Sequence, residues 1–469
     1  VGGEARRAVV SEGDDGALWS GRFTAPPSTE AAELGRSTGF DLRLIPEDVR
    51  ASVAHVASLR DAGLISEQDA RALTGALEDV ERRAAAGDLV LDPADEDVHS
   101  VVERAVIARV GALGERLHAG RSRNDLVITD LRLWLLEAGG RIDGLARGLA
   151  RALVERAREH TDTVMPGTTH GRPAQVVTLG HHLCAHAWAL TRDLERSAQW
   201  SSRSATSPLG AGALATSTIG IDPERTAERL GFDRAFDNSL DAVSDRDVVQ
   251  EWLAILAILS THVSRLAADL VRWTDPVLGW ARLDDASSTG SSMMPQKRNP
   301  DVAELARGKA SRVAAGFATV TAMLQGLPLG YHRDLQEDKE PAFDAADTVE
   351  LVLPAITGAV EGIRFEPEAM RAACDDEGLY ATDLAEALVV SGVPFREAHR
   401  RTGRLLRDLE RQDRSLRDLG DGEWRAFGLD RGSLVLDPER SVAARSGRGG
   451  PSAASVKAQI DALAAALGD

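Results

Sequence analysis

The chain has 469 residues, enough for two or three domains and a sizeable core. Its 55 Lys and Arg against 73 Asp and Glu leave a net charge of −18, which argues against a nucleic-acid partner but leaves room for a small anionic substrate wherever cations gather locally. Two cysteines, Cys184 and Cys374, give no disulfide framework and fit a reducing cytoplasm; no signal-like segment and no apolar run of the ~20 residues a membrane span needs is read along the chain.

Few aromatics and abundant Ala, Leu, Arg and Glu favour an all-α chain. Residues 1–13 are polar and Gly-rich, followed by Leu18-Trp19-Ser20-Gly21-Arg22-Phe23. Ser37-Thr38-Gly39-Phe40-Asp41 reads, on residue type alone, as a helix cap. Residues 46–90 alternate helical stretches with breaks at Gly63, Gly75 and Gly87, and Ser66 with Asp69 predicts a capped helix start. The acidic run Asp95-Glu96-Asp97-Val98-His99 has the composition of a solvated face.

Apolar residues at steps of three, four and seven (Leu131, Leu135, Ile142, Leu145, Leu149, Leu153) predict a long helix over 125–160. Similar patterns occupy 174–203, 245–274, 299–326 and 339–363, with Pro166, Pro208, Pro276 and Pro328 between them and Pro354 expected to kink the last. Residues 252–259 are apolar all round, which means burial and points to subunit association. After residue 363 the elements shorten; Gly392 stops one helix before another. The expected division is an N-terminal helical domain (1–119), a central long-helix bundle (120–362) and a C-terminal helical domain (363–469). His181, His182, Cys184 and His186 invite a metal reading, but without HExxH spacing they read as bundle core. No phosphate loop or dinucleotide fingerprint occurs, so neither cofactor nor metal is expected.

Three segments are read as donor-rich loops that open helices: Arg121-Ser122-Arg123-Asn124-Asp125, Gly167-Thr168-Thr169-His170-Gly171-Arg172-Pro173, and Gly290-Ser291-Ser292-Met293-Met294-Pro295-Gln296-Lys297-Arg298-Asn299-Pro300-Asp301. In the last, Asn299 suits an N-cap and Pro300 the first helical position. Hydroxyl, cation and helix N-terminus together suit chemistry on a carboxylate.

The last segment resembles the signature loop of the fumarase/aspartase superfamily. With Ser37–Asp41, Asp237–Asp247, Tyr331–Glu340 and the 381–399 region, it resembles the argininosuccinate lyase branch over roughly residues 17–460. The resemblance implies a three-domain fold with a central long-helix bundle, a homotetramer with active sites shared between subunits, a dicarboxylate substrate, and β-elimination releasing fumarate and arginine. It implies Ser291 as base with Ser292 as fallback, and Lys297 and Asn299 as stabilisers of developing negative charge. His170 would orient or protonate, while Thr169, Asn124, Arg123, Ser37 and Asp41 would hold carboxylates. Tyr331, Gln336 and Lys339 would hold the amino-acid and succinyl parts; His99, Arg246 and Arg172 are further candidates.

Four positions depart from the family pattern: Arg172 for Gln, Leu126 for Gln, Val176 for Pro and His332 for Asn. Arg172, Leu126 and His332 raise an alternative, a relative that cleaves another N-substituted aspartate. A non-enzymatic, crystallin-like member and an adenylosuccinate lyase fit the intact motifs less well.

Overall fold

A computed structural model describes residues 27–431 and 436–469; the expected opening motif at 18–23 lies outside them. Helices dominate, and among the described residues strand is confined to four two-stranded ribbons, so the chain is all-α as its composition predicts. The five long helices run Arg123–Glu159, Leu179–Ser204, Asp247–Trp273, Asp301–Leu324 and Lys339–Gly362. The first has 37 residues, about 55 Å at ~1.5 Å per residue. The last continues through Pro354.

Several local expectations need correction. Gly75 does not break its helix, which runs unbroken over Glu67–Ala86 and ends at Gly87 with φ 75°. The second long helix begins at Leu179, because residues 164–178 form an antiparallel hairpin of Val164–Thr169 with Arg172–Thr178. Asn299 is not the cap expected of it: its backbone pairs with Thr289, and the carbonyl of Pro300 accepts the first helical bond, from Glu304 at 3.0 Å. The 95–99 run is no solvated face, since Asp95, Asp97 and His99 are buried. Finally, Asp247–Trp273 is a helix long and apolar enough to cross a membrane, contrary to the reading of the apolar runs; Trp252, Leu253, Leu256, Leu259, Val263 and Leu270 are buried inside the protein.

Contacts gather the chain into two compact units. The first comprises residues 1–137, 201–250 and 319–342. Its helices Ile45–Asp61, Glu67–Ala86 and Val98–Val110 pack together, with Pro223–Leu230 against the first, burying Leu59, Leu73, Leu77 and Val101. Each such side chain contributes about 1.5–3 kcal/mol. The Ser66/Asp69 capping box forms as predicted, and a second, Asp97/Ser100, starts the Val98–Val110 helix. That second box fixes where His99 points.

The other unit comprises residues 138–200, 251–318 and 343–469. Val164 and Val176 of the hairpin pack on Cys374, Leu379, Tyr380 and Val442. The Ala381–Val390 helix ends at Gly392 (φ 98°) and packs on Phe395–Arg411, as the Gly stop predicts. Leu384, Leu388, Ala398 and Leu409 form the core of that pair together with Trp424 of the Asp421–Phe427 helix.

Candidate active site

In the first unit a cavity of about 360 Å3 brings together Ser37, Asp41, His99, Arg123, Asn124, Tyr331, Gln336 and Lys339, eight of the expected residues. This is the size of an ordinary small-molecule site. Glu96, Asp97, Val127 and Arg333 complete its wall and were not on the expected list.

Local hydrogen bonds set each side chain. Ser37 stands at the N-cap position of the Thr38–Asp41 turn, as read, but its side chain makes no capping bond: its hydroxyl donates to Asp41 Oδ2 at 2.6 Å, and the Val98 N–H donates to the same oxygen at 3.2 Å. Burial outweighs those donors and pushes the Asp41 carboxyl up. Asp97 differs: burial opposes its charge, but His99, Arg123 and the Ser100 donors together hold its carboxyl below the ordinary value. Arg123 lies 3.1 Å from Asp97 and 3.5 Å from Glu96, and Arg333 reaches Glu96 at 2.9 Å. Burial pushes the Tyr331 phenol up, so it stays a donor at neutral pH. Asn124 Nδ2 donates to the Ala213 carbonyl at 3.0 Å.

Behind the wall lie two buried networks. His99 Nδ1 meets Asp48 Oδ2 at 2.6 Å, and Ser52 donates to the other Asp48 oxygen at 3.0 Å. Asp130 Oδ2 is 3.6 Å from the same His99 nitrogen. Burial and the Asp48 charge push the Asp130 carboxyl well above the usual carboxylate range. In the second network Asp338 accepts from Lys339 Nζ at 3.0 Å and pairs with Arg246. Arg246, an expected site residue, is fully buried and does not line the cavity. Asp48 and Asp338 were missed because the sequence shows them only as acids at or near helix starts, which dipole complementarity already explains.

The remaining expected residues belong to the second unit. Thr169, His170 and Arg172 sit exposed at the hairpin tip, which replaces the expected helix-opening loop. His170 (φ 53°) and Gly171 (φ 71°) are its two turn residues, both left-handed as a type I′ turn requires. Gly171 is the residue that makes this turn inexpensive. Arg272 donates weakly to Thr168 Oγ1 and the Gly171 carbonyl, both at 3.4 Å.

Ser291, Ser292 and Lys297 lie on a loop closed by the ribbon of Thr289–Gly290 with Arg298–Asn299. Ser291 Oγ accepts from the N–H groups of Met293 and Met294 at 3.3 and 3.1 Å. Donors aimed at a hydroxyl oxygen favour its anionic form. Asn299 donates to the Gly290 carbonyl at 3.5 Å, and Thr289 donates to Asp301, which ties the loop to the following helix.

Of the departures from the family pattern, Leu126 is core, packed with Ala51, Ala54 and Leu133, and Val176 is fully buried in the hairpin. His332 does not line the cavity, although its neighbours Tyr331 and Arg333 do.

Comparison with known proteins gives the same family. A family model described as lyase matches residues 21–315, and one described as argininosuccinate lyase C-terminal matches 378–443. The chain is 46% identical to argininosuccinate lyase of Frankia casuarinae, covering 95% of this chain and 97% of that protein. It is likewise 46% identical to argininosuccinate lyase of Mycobacteroides abscessus, covering 97% of both. Among solved structures, an EDDS lyase in complex with formate superposes with TM-score 0.82 at 28% identity, over 94% of this chain and 89% of that one. A 3-carboxy-cis,cis-muconate lactonizing enzyme from Pseudomonas putida shares the fold, with TM-score 0.71 at 21% identity over 96% and 98% of the two chains. The chain belongs to the argininosuccinate lyase family.

Proposed function

We propose that the protein is a carbon–nitrogen lyase that splits argininosuccinate into fumarate and arginine, a step of arginine biosynthesis. The observation that carries the reading is identity of 46% over nearly the full length of curated argininosuccinate lyases. The cavity supports it: Arg123, Arg333 and Lys339 stand beside Glu96 and Asp97, a mixed-charge wall suited to a substrate bearing both carboxylates and cationic nitrogen. Ser37, Asn124, Tyr331 and Gln336 add neutral polar groups for orientation.

In this reading Ser291 removes a proton from the carbon next to a carboxylate. The electron pair passes into a doubly charged aci-carboxylate, stabilised by Lys297 and Asn299. The C–N bond then breaks, the leaving nitrogen takes a proton, and fumarate and arginine depart. The Met293 and Met294 N–H groups on Ser291 Oγ favour the charged form a serine base needs. Thr169 positions a carboxylate, and His170 orients or protonates.

A homotetramer is part of the proposal. Leu305 and Leu351, on two of the long helices, are 60% and 61% exposed in the single chain, and association would cover them. We further place the protein in the cytoplasm and divide it at residues 119 and 362. The alternative substrate loses support because, of the departures that raised it, Leu126 is a core residue and His332 does not line the cavity.

The test is fumarate release, followed by ultraviolet absorbance, from argininosuccinate with wild type and Ser291→Ala. Wild-type turnover and a loss of roughly 10²–10⁴-fold in a folded variant are expected. No release by the folded wild-type protein would overturn the substrate, and full activity in the variant would overturn the base.

A further inference from the structure

We propose that His182, His186 and Asp269 form a binding site for a divalent transition-metal ion of the zinc class, joining two long helices outside the elimination machinery. The histidines are four residues apart on Leu179–Ser204, so their rings share one helix face, with centroids 5.5 Å apart. Asp269 comes from Asp247–Trp273. Both Nε2 atoms meet one oxygen, Asp269 Oδ2, at 2.7 and 2.9 Å, and the three ligand atoms lie within 4.8 Å of one another.

A tetrahedral zinc with bonds of about 2.0–2.1 Å sets its ligand atoms roughly 3.3 Å apart. The site therefore needs to open by about half an ångström, within reach of small side-chain rotations. The side chains are 31%, 14% and 27% exposed, so water can enter and fill the remaining position. Two imidazoles and one carboxylate with an open position is a donor set that zinc, cobalt and nickel accept. The His182 ring is held edge-on by Trp273 at 5.0 Å, which limits its orientation.

Charge fits as well. Asp269 supplies one carboxylate beside the two imidazoles, so the site offers a negative charge to a divalent ion. Metal occupancy would replace two hydrogen bonds by three coordinate bonds, each neutral imidazole shifting its proton from Nε2 to Nδ1 by exchange with solvent, with no net proton released. Among the described residues the other cluster of this kind, Asp48–His99–Asp130, is buried behind the cavity wall, with only His99 lining the cavity.

The experiment uses the full chain, stripped with a chelator and titrated with Zn2+ by calorimetry and with Co2+ by visible absorption. Saturation at one ion per chain, with Co2+ ligand-field bands, is expected for wild type and for His99→Gln. His182→Gln and His186→Gln, with circular dichroism unchanged, should bind at least about 100-fold more weakly, beyond the usual range for outer-shell changes. His182 is the more exposed of the two, so its variant keeps the test interpretable if His186→Gln fails to fold. Wild type without saturable uptake would overturn the proposal. So would uptake that survives in His182→Gln or is lost only in His99→Gln.

Discussion

Replacing Asp338 with Asn tests the claim that the cavity wall rests on a buried ion network. Asp338 and Arg246 have fully buried side chains, and Lys339 is only 4% exposed. One carboxylate therefore compensates two cations away from water. Arg246 keeps a bond to the Asp245 carbonyl at 2.7 Å, while its Nη2 has no partner among the described residues. Asn retains the shape and one acceptor oxygen but no charge. Breaking a buried pair on one side costs about 3–5 kcal/mol, because the partner stays buried without compensation. We expect the low end, about 3 kcal/mol, since one hydrogen bond survives. Lys339 lines the cavity, so its displacement should also raise KM for argininosuccinate about tenfold or more, with kcat changing less. Urea denaturation followed by circular dichroism gives the first number and fumarate assays the second. A loss below about 1 kcal/mol with unchanged KM would refute the network's role. Asp338→Glu, which keeps the charge, should lie between the two.

Two further tests address pH and backbone. Burial pushes the Asp125 carboxyl up to about 6 despite N–H donors from Ser122, Gly210 and Gly212. A raised acid holds its proton more tightly in the folded chain, so its contribution is full below the unfolded value of 3.8 and declines as pH rises to about 6. The span corresponds to about 3 kcal/mol. The stability gap between wild type and Asp125→Asn should therefore narrow on going from pH 4.5 to 7, and a pH-independent gap would sink this account. At the hairpin tip, Gly171→Val should cost about 1–2 kcal/mol because φ is 71°, and should lower activity through His170. Gly171→Asn should cost less; equal effects of the two substitutions would show that the left-handed backbone is not the constraint.

The sequence read on its own determined what depends on local pattern. Long-helix periodicity located five helices to within a few residues, except where a hairpin displaced one start. The Ser66/Asp69 box and the Gly392 stop were legible because capping chemistry is confined to four or five adjacent residues. Motif resemblance supplied the family. What periodicity could not show was the hairpin over 164–178, because its turn requires two consecutive positive φ angles and His-Gly is not a strong signal for that. The acidic run at 95–99 looked solvated because composition carries no information about burial; the Asp97 cap and the Asp48 partner, 51 residues from His99, turned it inward. Asp338 and Asp48 acquire their roles only when distant segments meet, since a buried carboxylate is stable where the fold brings it a cation or a hydrogen-bond donor. Helix positions and family were thus set by residue order. Which acids stay ionised, which histidine faces the cavity and which departures are core were decided by tertiary contacts, because desolvation and pairing depend on neighbours in space.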